Sequence, residues 1–308
     1  MRPLNRLCLA LGAWLVCGAA EAHGLGAAAG PGPGWTLDPL ITLPLALSVL
    51  AYATGWLRLR RRSGRGGPRL GARAALFAGG WLALAVALVS PLHQAGERAF
   101  SAHMLEHELL MLLAAPLLVL SRPFGAMIWA FPYPARQGLG AAARWPPLAT
   151  AWRLTTEPVT ATLAQAAALW LWHAPYLFDR ALASPAWHIG QHLSFLATAL
   201  LFWSAMLRPA RANPGLAVLC LFATSVVSGA LGALMAFSES PWYAAYAAMG
   251  AAPFGLTPAE DQQAAGLLMW IPGGLVHAGA ALALVGAALK AQRSLDVQRR
   301  RTADAVQS

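Results

Sequence analysis

Eight histidines occur in the 308 residues, and four of them form two pairs with one spacing. His103 and His107 lie in SAHMLEHELLM, and His188 and His192 lie in WHIGQHLSF. On a helix, residues four apart share a face about 6 Å from each other. Each pair can therefore present two imidazoles to one metal ion. Met111 follows His107 at the same interval, and Met104, Met235 and Met269 are further thioethers. Imidazole beside thioether favours copper over magnesium or calcium, which take oxygen ligands. His173, in LWLWHAPYLF, and Asp261, in AEDQQAAGLLMWIPGG, are additional candidate ligands. The three cysteines are Cys8, Cys17 and Cys220. They make no CxxC or CxC thiolate pair, so a metal site must use His, Met or carboxylate.

Each candidate has a plainer alternative. Polar side chains near the ends of membrane helices also hydrogen-bond neighbouring helices or reach headgroups. Asp261, Gln262 and Gln263 are expected to cap the helix they open, where an aspartate complements the helix dipole. Two pairs on separate helices at one level favour a site, because ionisable groups in a membrane are costly and usually functional. His93 falls in an expected loop. His277, in GGLVHAGA, lies about 21 Å down the last span at 1.5 Å per residue. It is open between an interhelical hydrogen bond and a deeper ligand or proton relay.

The elements that must position these residues are membrane helices. Apolar residues make up 58% and charged residues 11%, against about 25% charged in soluble domains. Apolar runs long enough to cross about 30 Å of hydrocarbon recur at residues 38–57, 73–92, 101–120, 158–176, 188–207, 214–237 and 263–289. The expected fold is an all-α polytopic membrane bundle of seven spans. It follows a signal peptide over residues 1–22, where Arg2 and Arg6 precede a short apolar segment and Ala20-Glu21-Ala22 fits a cleavage site. Cleavage there makes His23 the mature N-terminus, whose α-amine and ring nitrogen form an N/N pair suited to Cu(II). The transmembrane domain then covers residues 23–290, and residues 291–308 form a cytoplasmic tail.

Eighteen Lys and Arg fall in the loops and tail of one side, and only Arg98 and Arg180 fall on the other. The positive-inside rule gives an N-out, C-in topology. The net charge of +10 is thus a topology signal and not a nucleic-acid footprint. Seven of the eight histidines come out at or near the outer face. Asp38, Glu97, Glu106, Glu108, Asp179, Glu239, Glu260 and Asp261 are expected there too, as an acidic rim that can gather cations. The proline-broken stretch after Arg122 is expected to lie in the cytoplasmic interface, with Trp129, Trp145 and Trp152 at headgroup depth. Pro272-Gly273-Gly274 is expected to kink or loosen the last span.

Four ordered motifs carry a resemblance: SAHMLEHELLMLLAAPLLVLSRP, WLWHAPYLFDRAL, HIGQHLSFLATALLFW and EDQQAAGLLMWIPGG. The chain resembles the multi-pass CtaG-type cytochrome c oxidase assembly factors, which are unrelated to the single-pass copper chaperone of the same name. The resemblance covers about residues 75–289. It implies a non-enzymatic protein of the bacterial inner membrane that helps mature cytochrome c oxidase at its copper centres. Its implied partners are oxidase subunits or a periplasmic copper chaperone, within the lipid bilayer. His103, His107, His173, His188, His192 and Asp261 match motif positions of that family. Two other functions remain open at this point. One is a haem-binding membrane electron carrier using histidines as axial ligands; the other is a copper transporter. There is no P-loop and no GxSxG motif, so nucleotide-dependent and hydrolytic chemistry lack support.

Overall fold

The computed structural model describes residues 34–62, 67–207, 213–250 and 255–307. The expected signal peptide and His23 lie outside the described residues. Helices dominate, and no strand occurs among the described residues. The helices are α1 (Pro39–Arg62), α2 (Gly67–Val89), α3 (Pro91–Gly96), α4 (Phe100–Glu108), a π-helical segment (Leu109–Ala114), α5 (Ala115–Ser121), α6 (Pro123–Met127), α7 (Tyr133–Arg144), α8 (Pro146–Thr155), α9 (Pro158–Trp172), α10 (Pro175–Ala183), α11 (Pro185–Met206), α12 (Pro214–Ala236), α13 (Ala244–Met249) and α14 (Pro258–Gln307).

Proline opens most of these helices. Its missing N–H costs nothing in the first turn, where the donor has no helical partner, and its fixed φ suits the helix start. Side chains complete several starts. Glu157 accepts from the Thr160 amide, Asn213 from Gly215 and Asp38 from Leu40.

Among the described residues, six helices are long and apolar enough to cross a membrane: Pro39–Arg62, Arg69–Val89, Phe100–Ser121, Pro185–Met206, Pro214–Ala236 and Pro258–Ser294. The chain is a multi-pass membrane protein. The count of seven spans rests on α9, whose 15 residues rise only about 22 Å. Cross-helix contacts nevertheless give α9 a place in a strict up-down order. The Trp81 indole of α2 reaches the Leu45 carbonyl of α1, and the Trp56 indole reaches Leu70, so α1 and α2 are antiparallel. Gly96 lies against His103, and Gly80 lies against Leu118, which reverses direction again. Along α9, His173 meets Met104 and Gln165 meets Met111, so it runs back. His188 and His192 of α11 lie beside His103 and His107, parallel to α4. α12 opposes α14, with Gly232 on Gly266 and Ser225 near Gly274. α14 runs with α4, from Asp261 at Phe100 to Gly273 near Glu108.

One end of the bundle thus holds His93, His103, His107, His173, His188 and His192. The other holds Arg60, Arg61 and Arg62 at the end of α1 and Arg122 after α5. Between Arg122 and α9, α7 and α8 bury no residue, and Tyr133, Leu139, Trp145 and Leu148 stay exposed. Short helices of this kind suit a membrane interface. With the basic end inside, a reporter enzyme fused after Lys290 is expected to be active in the cytoplasm. Activity of that fusion in the periplasm would invert the bundle and place the histidines inside.

α14 continues through Pro272 as one helix. Its start departs from expectation. Thr257 and Glu260 form a reciprocal cap, the Thr257 amide donating to Glu260 Oε2 and the Glu260 amide to Thr257 Oγ1, which is the capping-box arrangement. Asp261 therefore reaches across to the start of α4. There it accepts from the Phe100 amide at 2.6 Å and from the Ser101 hydroxyl at 2.5 Å. Gln262 and Gln263 turn the other way and hold the loop at Ser238, Ser240 and Trp242.

Candidate metal centre

Four elements supply the site. α4 carries His103, Glu106 and His107, whose spacing of three and four keeps them on one face. α11 carries His188 and His192 in the same way. α3 is a single short helix set by Ser90, whose hydroxyl accepts from the Leu92 amide, and by Pro91. It folds close to α4 because Gly96 has no side chain: a Cβ there would lie 3.2 Å from both Glu106 Oε2 and the His103 Cα. That approach brings His93 over the cluster. α9 ends at His173, which approaches from the side.

The rings crowd together. Their centroids lie 4.4 Å apart for His103 and His107, 4.3 Å for His188 and His192, 5.3 Å for His103 and His188, and 5.1 Å for His107 and His192. His93 stacks on His188 at 5.3 Å. Two three-ligand sets follow among the described residues, each with its donor atoms within 4.8 Å of one another: His103, His188 and His192, and His93, Glu106 and His192. His192 belongs to both.

The cluster is largely buried, with His188 half-exposed, and under-bonded. His93, His103, Glu106, His107 and His192 are buried. Both ring nitrogens of His103 and of His107, Nε2 of His188 and of His192, and Oε2 of Glu106 have no hydrogen-bond partner among the described residues. Buried polar groups are normally satisfied, and each orphan costs about 1–3 kcal/mol. Neutral imidazole nitrogens converging in threes match the donor set of a transition-metal ion. The strongest polar contact in the cluster is between His93 Nδ1 and Glu106 Oε1, at 2.7 Å. Burial disfavours the charged form of His93, but the hydrogen bond and charge of Glu106 outweigh it and hold that imidazole above its ordinary pKa. The same Glu106 oxygen lies 3.6 Å from His192 Nε2.

The remaining candidates are placed elsewhere. His173 Nδ1 donates to the Leu169 carbonyl at 2.7 Å, which leaves the Nε2 lone pair 3.4 Å from the Met104 sulfur. Its ring centroid is 6.3 Å from that of His107, so it borders the cluster. Asp261 spends both oxygens on α4, holding the segment that carries His103 and His107 without joining them. Met111 lies one turn below His107 and lines a second, deeper cavity. It sits in the π segment, whose turn contains one more residue than an α turn. Pro116 has no N–H for the Met111 carbonyl five residues back, and the Trp203 indole N–H supplies that bond at 2.8 Å.

Two participants, His93 and Glu106, are weak in the sequence. Glu106 reads as part of the acidic rim, and the signal that could have found it is its i, i+3, i+4 spacing with His103 and His107. His93 was legible only through Ser90-Pro91, a helix-start signal inside an expected loop. The acidic rim is thinner than expected, since Glu106 and Asp261 are buried within the bundle.

A family model described as cytochrome c oxidase caa3 assembly factor matches residues 50–291, well over half of the chain. No curated protein and no solved structure matches it.

Proposed function

Because the chain belongs to the cytochrome c oxidase caa3 assembly factor family, we propose that it serves oxidase maturation as a non-enzymatic copper carrier of the bacterial inner membrane. In this reading the histidine cluster faces the extracytoplasmic side, holds one copper ion as cargo, and exchanges it with oxidase subunits or a periplasmic copper chaperone. One observation carries the proposal: buried imidazole nitrogens from α4 and α11 converge without hydrogen-bond partners among the described residues. Copper suits them better than magnesium or calcium, because borderline and soft ions take imidazole readily. The shared His192 gives the ion two adjoining ligand sets, one of three imidazoles and one of two imidazoles with a carboxylate. Such an arrangement suits release and exchange.

The rings also argue against haem. An axial histidine must stand clear on one side of a wide macrocycle, whereas His103 packs against His107, His188 and Phe178 at centroid distances of 4.4–5.3 Å. A small ion fits among these rings. Protein purified in mild detergent after growth with copper is expected to contain stoichiometric copper and no Soret absorbance. A Soret band, or failure to take up added copper, would refute the proposal.

A further inference from the structure

Below the histidines lies a cavity of ≈ 30 Å³ lined by Glu108, Met111, Gln165, Thr224, Met269 and His277 among others. A water needs about 10–15 Å³, so the space admits an ion with at most one or two waters. Its walls hold unpartnered polar atoms: Glu108 Oε2, Gln165 Oε1 and Thr224 Oγ1 are buried and make no hydrogen bond among the described residues. Gln165 and Thr224 are more than nine-tenths buried. His277 Nδ1 donates to the Gly273 carbonyl at 2.7 Å, so Nε2 bears its lone pair. Its ring is held in place by stacking on Trp203 at 5.7 Å.

We infer that this inner cavity is a second binding site, distinct from the histidine cluster, for one soft monovalent cation, Cu(I). The inference rests on the reading of the chain as a copper carrier. Three features select the ion. Met111 and Met269 are thioethers and His277 is an imidazole, a donor set that selects Cu(I) over hard cations. Glu108 is the sole carboxylate of the lining among the described residues, and no Lys or Arg of them lines the cavity. A cation entering the cavity displaces the Glu108 proton; the single negative charge that results is balanced by one positive charge, and a divalent ion would leave an uncompensated charge at large cost. The Gln165 amide N–H donates to the Met111 sulfur at 3.1 Å, which fixes the thioether while the amide oxygen has no partner among the described residues. His107 and Glu108, adjacent in sequence, thus serve two chambers, and an ion leaving the outer one has a softer site directly beneath.

The test uses full-length protein in detergent, titrated anaerobically with Cu(I) against a chelator and studied by X-ray absorption. Wild type is expected to bind two ions per chain, with sulfur scattering in addition to nitrogen. Met269→Leu and Met111→Leu should each lower the count to one and remove the sulfur scattering. His103→Leu should lower the count to one and keep it. A wild type that binds a single ion with nitrogen and oxygen ligands only would overturn the inner site and leave the outer one standing. Two ions and unchanged sulfur scattering in Met269→Leu would also overturn it. A single sulfur-bound ion that survives His103→Leu would instead remove the outer site and leave the inner one.

Discussion

His103→Leu is expected to break the three-imidazole set, strip copper from the outer cluster under chelator competition and abolish oxidase maturation, while the metal-free protein keeps its membrane abundance and melts at the same or a higher temperature. The two halves of this outcome have one cause. Neither ring nitrogen of His103 has a partner among the described residues, so the imidazole contributes no hydrogen bond to the fold there. Leaving a buried polar group unsatisfied costs about 1–3 kcal/mol, and an apolar side chain of similar size removes that cost. Leucine fills much of the space among His107, His188 and Phe178, so cavity formation is small compared with an alanine substitution. The same change takes a ligand from the His103, His188, His192 set. His192→Ala should lose copper at least as completely, because His192 is shared by both sets. Metal analysis, thermal melting in detergent and oxidase activity in the same cells read out the prediction. Stoichiometric copper at the cluster of the His103→Leu protein, or a substantial fall in its melting temperature, would show that the histidine is structural.

Gly266→Val is expected to remove the protein from the membrane altogether. Where α12 crosses α14, a Cβ on Gly266 would lie 2.5 Å from the Gly232 carbonyl oxygen and 2.6 Å from the Ala236 amide nitrogen. Both are backbone atoms of a packed helix, so no side chain can rotate away. The helices must separate, and a transmembrane interface held by close packing of small residues comes apart. Even alanine should be poorly tolerated. Gly279→Ala on the same helix meets nothing within 4 Å and should be neutral or slightly stabilising, by about 0.5–1 kcal/mol from helix propensity. Fluorescence of a C-terminal fusion in isolated membranes measures both. Normal abundance of Gly266→Val would mean that the crossing is looser than these distances imply.

The helical architecture was legible because hydropathy and charge act locally. Apolar runs mark the spans, and prolines mark where they start. The two histidine pairs were legible for the same reason, being fixed by the geometry of single helices. What escaped depends on distant chain segments. Asp261 reads as a cap for its own helix, but its acceptor oxygens go to Phe100 and Ser101, about 160 residues earlier. Glu106 reads as part of an acidic rim until α3 folds over it and supplies His93. Met111 reads as a further ligand of the histidine stripe, and the fold sets it against the deeper cavity beside Gln165. Pro116 was the available warning, since a proline inside a span must leave a carbonyl to be bonded from elsewhere.

The π turn between Leu109 and Ala114 makes the third span a shaft with a built-in phase step. Above the step, its inward edge is histidine. Below it, the register has advanced by one residue, about 100° of rotation. Length changes in this segment are therefore not equivalent to length changes in a loop. Deleting a single residue between Leu109 and Ala114 would turn the π turn into an ordinary α turn and leave the upper and lower halves facing as they do now. Deleting one elsewhere in the span would keep the π turn and rotate one half against the other by about 100°. The span is better understood as a timing element than as a carrier of residues: its composition names the ligands, and its pitch decides which chamber each one enters.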